Sequence, residues 1–169
     1  MKKIICALMA GFMCFSLSAC GSSDKESSSK KEEQKEEKKK NYGVNDVVEM
    51  KDRNFKVTKV STSEGDDFTK PEDGKVFVLI DVSIENTSDK EISYNVLDFE
   101  VQNGQGQIDN LGFSTFQVDH PLNSGKLASE GKISGTLIAE EPKDDVNNMT
   151  LIYKVGVFDQ EEVKVSLQS

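Results

Sequence analysis

The fold of this chain is decided by residues 75–86, KVFVLIDVSIEN, in which apolar side chains alternate over twelve positions. Every second residue from Val76 to Ile84 is β-branched and aliphatic, which is a period of two built from residue types that favour strands. The intervening positions are apolar at Phe77 and Leu79 and polar from Asp81 onward. The pattern predicts a central β-strand that is covered on both faces at one end and open to water on one face at the other.

Alternation of the same kind recurs before and after this strand. Further strands are expected at residues 44–50, 54–61, 97–102, 131–140, 149–153 and 163–167. The pair Asn103-Gly104 is a strong hairpin signal, Gly135 indicates a bulge or a close backbone approach, and Pro142 should end its strand. No stretch keeps helical periodicity for three turns. We therefore predict an all-β fold, an immunoglobulin-like antiparallel β-sandwich of about seven or eight strands; a closed barrel is the alternative, because strand patterns alone do not separate the two.

The first 19 residues have the organisation of a secretory signal peptide. Lys2 and Lys3 precede an uncharged, largely apolar stretch at residues 4–15, and small residues follow at 16–19. That order and length are typical of an export signal. A transmembrane helix is the alternative, but it needs roughly 20 apolar residues, which this stretch does not supply.

Residues 17–20, LSAC, resemble the lipobox of bacterial lipoproteins at all four positions. The resemblance implies that the thiol of Cys20 receives a diacylglyceryl group and that the signal is cut between Ala19 and Cys20. Two acyl chains anchor a protein stably at a membrane surface, so we expect a lipid-anchored protein on the extracytoplasmic face of the bacterial cell membrane. Cys6 and Cys14 lie in the apolar stretch, and no cysteine follows Cys20. The exported part therefore contains no disulfide.

A charged tether joins the anchor to the folded domain. Residues 21–41, GSSDKESSSKKEEQKEEKKKN, contain no apolar residue, so they cannot bury enough surface to offset the entropy of ordering the chain. We predict a flexible or partly helical spacer; the alternative, a polybasic membrane patch at residues 38–40, is opposed by the neighbouring glutamates. The expected organisation is a signal peptide at 1–19, the lipidated cysteine and tether at 20–43, and the immunoglobulin-like domain at 44–169.

The domain is strongly acidic. The whole chain has a net charge of -9, and residues 42–169 carry 12 Lys and Arg against 24 Asp and Glu. An acidic surface repels phosphate backbones, and the domain has no basic patch with interleaved aromatic residues. Nucleic acid is therefore not an expected partner.

Two long stretches resemble a known domain. Residues 74–107, GKVFVLIDVSIENTSDKEISYNVLDFEVQNGQGQ, and residues 131–153, GKISGTLIAEEPKDDVNNMTLIY, are similar to the telokin-like domain of unknown function in lipoproteins of Gram-positive bacteria. That domain is in turn similar to the immunoprotective extracellular proteins with an immunoglobulin-like sandwich. The shared pattern is a strand that ends in Glu85-Asn86, a Leu97-Asp98-Phe99 strand, a glycine hairpin, and Gly131-Lys132 at the start of another strand. The resemblance covers most of residues 44–155, and it implies fold and location but brings no catalytic residues.

Residue chemistry gives no convincing catalytic or metal site. His120 is the single histidine; its neighbour Asp119 would point the other way on an extended backbone, and no Gly-x-Ser-x-Gly elbow supplies a nucleophile. One histidine without cysteine does not make a zinc site. Three acidic clusters lie at residues 64–67, at 72–73, and at 140–145. Calcium is the alternative ligand there, but none of the clusters has EF-hand spacing. We expect no enzyme activity and no cofactor, and carboxylates that are simply solvated.

The segment from Asn110 to Glu130 lacks alternation although it contains several large apolar residues. A loop this long in a compact domain is functional or holds an element of its own. The favoured interpretation is that Phe113 and Phe116 plug an open end of the sandwich; the alternative is a partner-binding loop with Phe113, Phe116 and His120. The expected partner is a surface protein or a cell-wall component.

Two other functional classes stay open at this level. One is a cell-envelope hydrolase that uses surface carboxylates, which would need paired carboxylates with perturbed pKa values in one cleft. The other is an accessory solute-binding lipoprotein, which would need a deep hinge cleft.

Overall fold

Two four-stranded antiparallel sheets form the domain, and the alternation of apolar residues decides which of their faces meet. The computed structural model describes residues 42–111, 114–156 and 161–168. The signal peptide, Cys20, the tether to residue 41, and Phe113 lie outside the described residues, so the predictions made for them stay predictions. In the described part of the chain, no helix is long and apolar enough to cross a bilayer.

The described chain contains ten strands and two short 3-10 helices, the latter at Val96–Asp98 and Val146–Asn148. The strands are β1 (Val48–Glu49), β2 (Arg53–Ser63), β3 (Lys75–Asn86), β4 (Ile92–Tyr94), β5 (Phe99–Gln102), β6 (Ile108–Asn110), β7 (Gly125–Leu127), β8 (Lys132–Pro142), β9 (Thr150–Val155) and β10 (Glu161–Ser166). The count exceeds the seven or eight predicted because β4, β6 and β7 have only three residues each. Such strands are too short for a period of two to be recognised.

One sheet has the order β1-β2-β3-β8, and the other has the order β10-β9-β5-β6. A third, two-stranded sheet is formed by β4 and β7. Within the described ranges, no strand ladder joins the two large sheets. The fold is therefore a β-sandwich, and the closed-barrel alternative is wrong.

The core lies between the two large sheets. The β-branched face of β3, from Val76 to Ile84, is buried as predicted. Phe55 of the neighbouring strand β2 forms an aromatic cluster with Phe99 and Tyr153 of the opposite sheet. The stacked rings of Phe99 and Tyr153 have centroids 4.2 Å apart, and the ring centroid of Phe55 lies 4.9 Å from that of Tyr153. Burying each of these aromatic side chains removes a large apolar area from water, so this cluster holds the two sheets together.

Two local predictions need correction. Leu97 does not belong to a strand: it lies in the 3-10 helix before β5 and is 51% exposed. Asn95 caps this turn, because its side chain accepts a hydrogen bond from the Leu97 amide at 2.9 Å.

The hairpin after β5 is present, but it is longer than a two-residue Asn-Gly turn. Its amide-to-carbonyl bond runs from Gly106 to Asn103 at 3.0 Å, and the positive φ of +87° is at Gly106 rather than Gly104. Glycine adopts that conformation without steric cost.

Candidate functional site

The segment from Asn110 to Glu130 passes from one large sheet to the outer edge of the other. It starts at the end of β6, and its middle forms a bridge with β8. The Thr136 amide donates to the carbonyl of His120 at 2.8 Å, and the Leu122 amide donates to the carbonyl of Thr136 at 3.0 Å. The segment thus closes part of the open side of the sandwich between the edge strands β6 and β8.

A glycine in β8 makes this contact possible. A Cβ atom on Gly135 would lie 2.7 Å from Cα and 2.8 Å from the backbone nitrogen of Leu122. Real Cβ atoms do not approach backbone atoms so closely, and the segment would have to move away. The close backbone approach predicted at Gly135 is confirmed.

Phe116 occupies a position that neither prediction for it described. Its ring stacks on Phe77 with centroids 4.5 Å apart and an angle of 3° between the planes. Phe77 points away from the space between the sheets, because its neighbours Val76 and Val78 face the core. Phe116 is half-buried and covers the outer face of the β3–β8 pair, so it is not a plug in an open end of the sandwich.

The other residues of the segment divide into anchors and exposed groups. The side chain of His120 is exposed, whereas Leu111, Leu122 and Leu127 are buried in the core. These leucines hold the segment on the core. The sequence does not predict this role, because the leucines occur without strand or helix periodicity. Their only sequence signal is that they are large aliphatic residues in an otherwise polar stretch.

Removing the ring of Phe116 tests how firmly the segment is held. Phe116→Ala should lower the free energy of unfolding by about 1–2 kcal/mol, because an aromatic pair contributes roughly 0.5–1.5 kcal/mol beyond its area and the ring is only half-buried. Urea denaturation measures this loss, and Phe68→Ala, at a side chain that is 97% exposed, is the control. A loss of about 3–5 kcal/mol, typical of a fully buried phenylalanine, would show that the ring is a core residue instead.

Two adjoining cavities lie between the segment and β8. The first has a volume of about 480 Å³ and is bounded by β8, by residues 114–124 and by Val96. The second has a volume of about 360 Å³ and continues along β8 toward β6. Leu111, Ser114 and Ile138 line both cavities. We call the two together the β8 groove.

The two ends of the β8 groove differ in charge. The described wall of the first cavity has no charged residue and combines apolar side chains such as Leu122 and Val118 with polar ones such as Gln117. The second contains Asp109, Glu140 and Glu141. The one cation in its described wall, Lys75, forms an ion pair with Glu72 at 2.6 Å. The groove is therefore uncharged at one end and negatively charged at the other.

Glu141 is an unusual carboxylate because it is only 2% exposed. Burial raises the pKa of its carboxyl above the ordinary value of 4.5, the negative charge of Asp109 raises it further, and a hydrogen bond from the side-chain amide of Asn103 partly offsets both. Asn103 also accepts the amides of Gln105 and Gln107, at 3.1 and 3.0 Å. The hairpin after β5 and the end of β8 are thus linked through one buried carboxyl.

The raised pKa of Glu141 predicts a pH-dependent stability. The folded domain binds this proton more tightly than the unfolded chain, so the favourable contribution is complete below pH 4.5 and is lost as the pH rises through the folded pKa. Glu141→Gln removes the charge but keeps an acceptor for Asn103. It should raise the melting temperature at pH 7 and leave it nearly unchanged at pH 4, as measured by thermal melts across that range. A lower melting temperature than wild type at pH 7 would contradict the assignment.

The remaining acidic clusters bind the protein's own groups. The Asp66 carboxylate accepts the amides of Phe68 and Thr69 at 2.8 and 2.7 Å, and Glu64 pairs with Lys143 at 2.8 Å. Asp145 accepts the Gly104 amide at 2.8 Å. Across the described ranges, no three acidic or histidine side chains converge as metal ligands would.

Comparison with known proteins gives a family and a fold. The model of the family described as domain of unknown function DUF4352 matches residues 42–163. The uncharacterized lipoprotein YjhA of Bacillus subtilis strain 168 is 30% identical over 82 residues, which is 48% of this chain and 38% of that protein. The matched part therefore spans well under two thirds of that relative.

Solved structures agree with the sandwich. The crystal structure of the YjhA protein from Bacillus subtilis is similar with a TM-score of 0.63 and 25% identity, covering 75% of this chain and 99% of that one. A putative lipoprotein of the same species, YcdA, has a TM-score of 0.56 at 14% identity and covers 71% of this chain and 38% of its own. The second likeness is one of fold alone.

Proposed function

The chain belongs to the DUF4352 family, and we propose that it is a membrane-anchored extracytoplasmic lipoprotein whose sandwich domain binds a partner without catalysing a reaction. The partner is a surface protein or a cell-wall component. The domain is of the immunoglobulin-like, telokin-like type. It is held by a lipid on Cys20 and separated from the membrane by a charged tether.

The anchoring part of the proposal is supported by the lipobox-like residues 17–20 that follow an export signal. It is also supported by the name of the relative YjhA, which is a lipoprotein. The immunoglobulin-like part is supported by two packed antiparallel sheets of four strands each. It is supported as well by the Glu85-Asn86 and Gly131-Lys132 positions of the resemblance, which lie at the ends of β3 and β8.

The β8 groove is the observation that carries the binding function. Its walls combine a fixed strand with a segment that is anchored by buried leucines yet presents exposed residues such as Ser114, Gln117 and Asn123. Concave, largely preformed sites with a few polar groups are where proteins bind ligands. Long loops held on a rigid sheet commonly carry this role.

Blocking the β8 groove tests the proposal. Ser114 is exposed and lines both cavities, so Ser114→Trp should fill the groove without disturbing the core. Ser129→Trp is the matched control, at an exposed serine between β7 and β8. The full chain, purified in a neutral detergent, is cross-linked to envelope fractions, and bound material is identified. We expect the wild type and Ser129→Trp to capture the same partner and Ser114→Trp to lose it. Equal capture by all three would place the interaction elsewhere, and no capture by any would contradict a binding function.

A cell-envelope hydrolase is the second candidate, and one observation favours it. Glu141 is buried, has a raised pKa and shares a cavity with Asp109, and a carboxyl group with a raised pKa beside a second carboxylate is a candidate general acid. Against it, Glu141 is almost inaccessible and is held by Asn103. Purified wild-type protein should therefore release no fragments from cell-wall material. Release that disappears in Glu141→Gln and Asp109→Asn would establish the hydrolase instead.

A further inference from the structure

We propose that the outer edge of β8, at residues 138–140, accepts an extended basic peptide of a partner protein as an added β-strand. The inference rests on the proposed binding function and names the chemistry of the partner. It follows from three features of the β8 groove: an unpaired strand edge, the placement of its carboxylates, and the apolar surface beside them.

The strand edge is free where the second cavity begins. Thr136 uses its outward-facing amide and carbonyl to bind His120 and Leu122. Because backbone groups alternate in direction along a strand, the amides and carbonyls of Ile138 and Glu140 also point away from β3. In the described part of the chain, these groups have no hydrogen-bond partner. Unpaired edges of this kind bind extended peptides through main-chain hydrogen bonds.

The carboxylates select a basic peptide. Asp109 is directly opposite Val101 in the β5–β6 ladder, and Val101 is buried in the core; Asp109 therefore faces the gap between the sheets. Glu141 faces the same gap, because it lies two residues after the buried Ala139. A strand added to β8 would present every second side chain toward the exposed carboxylate of Asp109, with the charge of the buried Glu141 behind it. Lysine or arginine at those positions gives a complementary charge.

The intervening side chains of such a strand would meet a different surface. Glu140 is opposite Phe77 in the β3–β8 ladder, so both lie on the outer face of the sheet. Phe77 and Phe116 stack there, and Ile138 lies beside them on the same face. Apolar side chains fit at these positions. The expected peptide thus alternates basic and apolar residues.

A second copy of the domain does not meet these requirements. Residues 42–169 carry 24 acidic against 12 basic residues, so two copies repel each other, and a β8–β8 contact would bring Glu140 and Glu141 of both copies together. Like charges juxtaposed at an interface disfavour association. The charge balance points to a basic segment of another protein.

The test uses blocked eight-residue peptides and the full chain in a neutral detergent. The probe is acetyl-(Lys-Val)4-amide, and its affinity is measured by isothermal titration at two salt concentrations. Two derivatives carry N-methyl groups, one on every lysine amide and the other on every valine amide. In an added strand only one of these sets faces β8, so one derivative should lose binding and the other should keep it.

Protein variants test the charge argument separately. Asp109→Asn with Glu141→Gln should weaken binding at least about tenfold, since the two negative charges that face the gap are removed, and should reduce its salt dependence. Glu49→Gln with Asp67→Asn removes two exposed charges away from the groove and should have no effect. Absence of binding by the parent peptide, equal behaviour of both methylated peptides, or equal affinity of the groove and control variants would each overturn the proposal.

The result is distinguishable from failure of the proposed function. If envelope capture by the wild type persists in saturating (Lys-Val)4 peptide but is lost in Ser114→Trp, the groove binds a partner and strand addition of a basic peptide is wrong. If the peptide binds as described but no envelope partner is captured, the chemistry of the edge stands and the proposed biological function fails.

Discussion

Replacing Asn86 with alanine is expected to lower the free energy of unfolding by about 3 kcal/mol, the largest loss we predict for one side chain. Asn86 is 1% exposed. Its side-chain amide donates to the carbonyls of Lys90, Leu127 and Ala128 at 2.7, 3.1 and 2.9 Å, and its side-chain oxygen accepts the amide and hydroxyl of Ser88 at 2.9 and 2.8 Å. A buried polar group that loses its partner costs about 1–3 kcal/mol. One side chain here ties the turn after β3 to the turn after β7.

The measurement is urea denaturation with a fixed slope, so that the change in midpoint reports stability. Asn123→Ala is the matched control, because Asn123 is exposed and makes a single long bond of 3.4 Å to Pro121. Asn86→Asp should be nearly as damaging as Asn86→Ala, since it keeps the acceptor and loses both donors. A loss below about 1 kcal/mol for Asn86→Ala would show that the turns are held by other contacts.

Replacing Cys20 with serine is expected to abolish acyl labelling, with the protein either released from the membrane or left as an uncleaved precursor. Only a thiol forms the thioether, and without two acyl chains the binding energy for stable anchoring is missing. Metabolic labelling with a fatty acid and fractionation of the cells check this. Cys14→Ser and Cys6→Ser are the controls, at cysteines that belong to the apolar stretch of the signal, and both should behave as wild type. Acylation that persists in Cys20→Ser would show that the anchor assignment is wrong.

The sequence by itself determined the fold class and the central strand. The bounds of β3 follow from the β-branched residues that occupy every second position between Lys75 and Asn86. Pro142 ends β8, because proline has no amide hydrogen to donate to a strand ladder. The prediction failed at Leu97, which alternates with Phe99 but is turned outward in a 3-10 helix. There the Asn95 side chain accepts a hydrogen bond from the Leu97 amide, and this local bond competes with strand pairing.

Only the tertiary structure decided the path of the segment from Asn110 to Glu130 and the partners of its residues. Phe116 meets Phe77 across 39 positions of sequence, and Glu141 is buried beside Asn103. Such pairs leave no periodic signal, because periodicity reports only how neighbouring residues share one face of an element. Which strand edges come together, and which carboxylates they bring with them, depends on how the sheets stack. That arrangement is fixed by the packing of the whole core rather than by any local stretch of the chain.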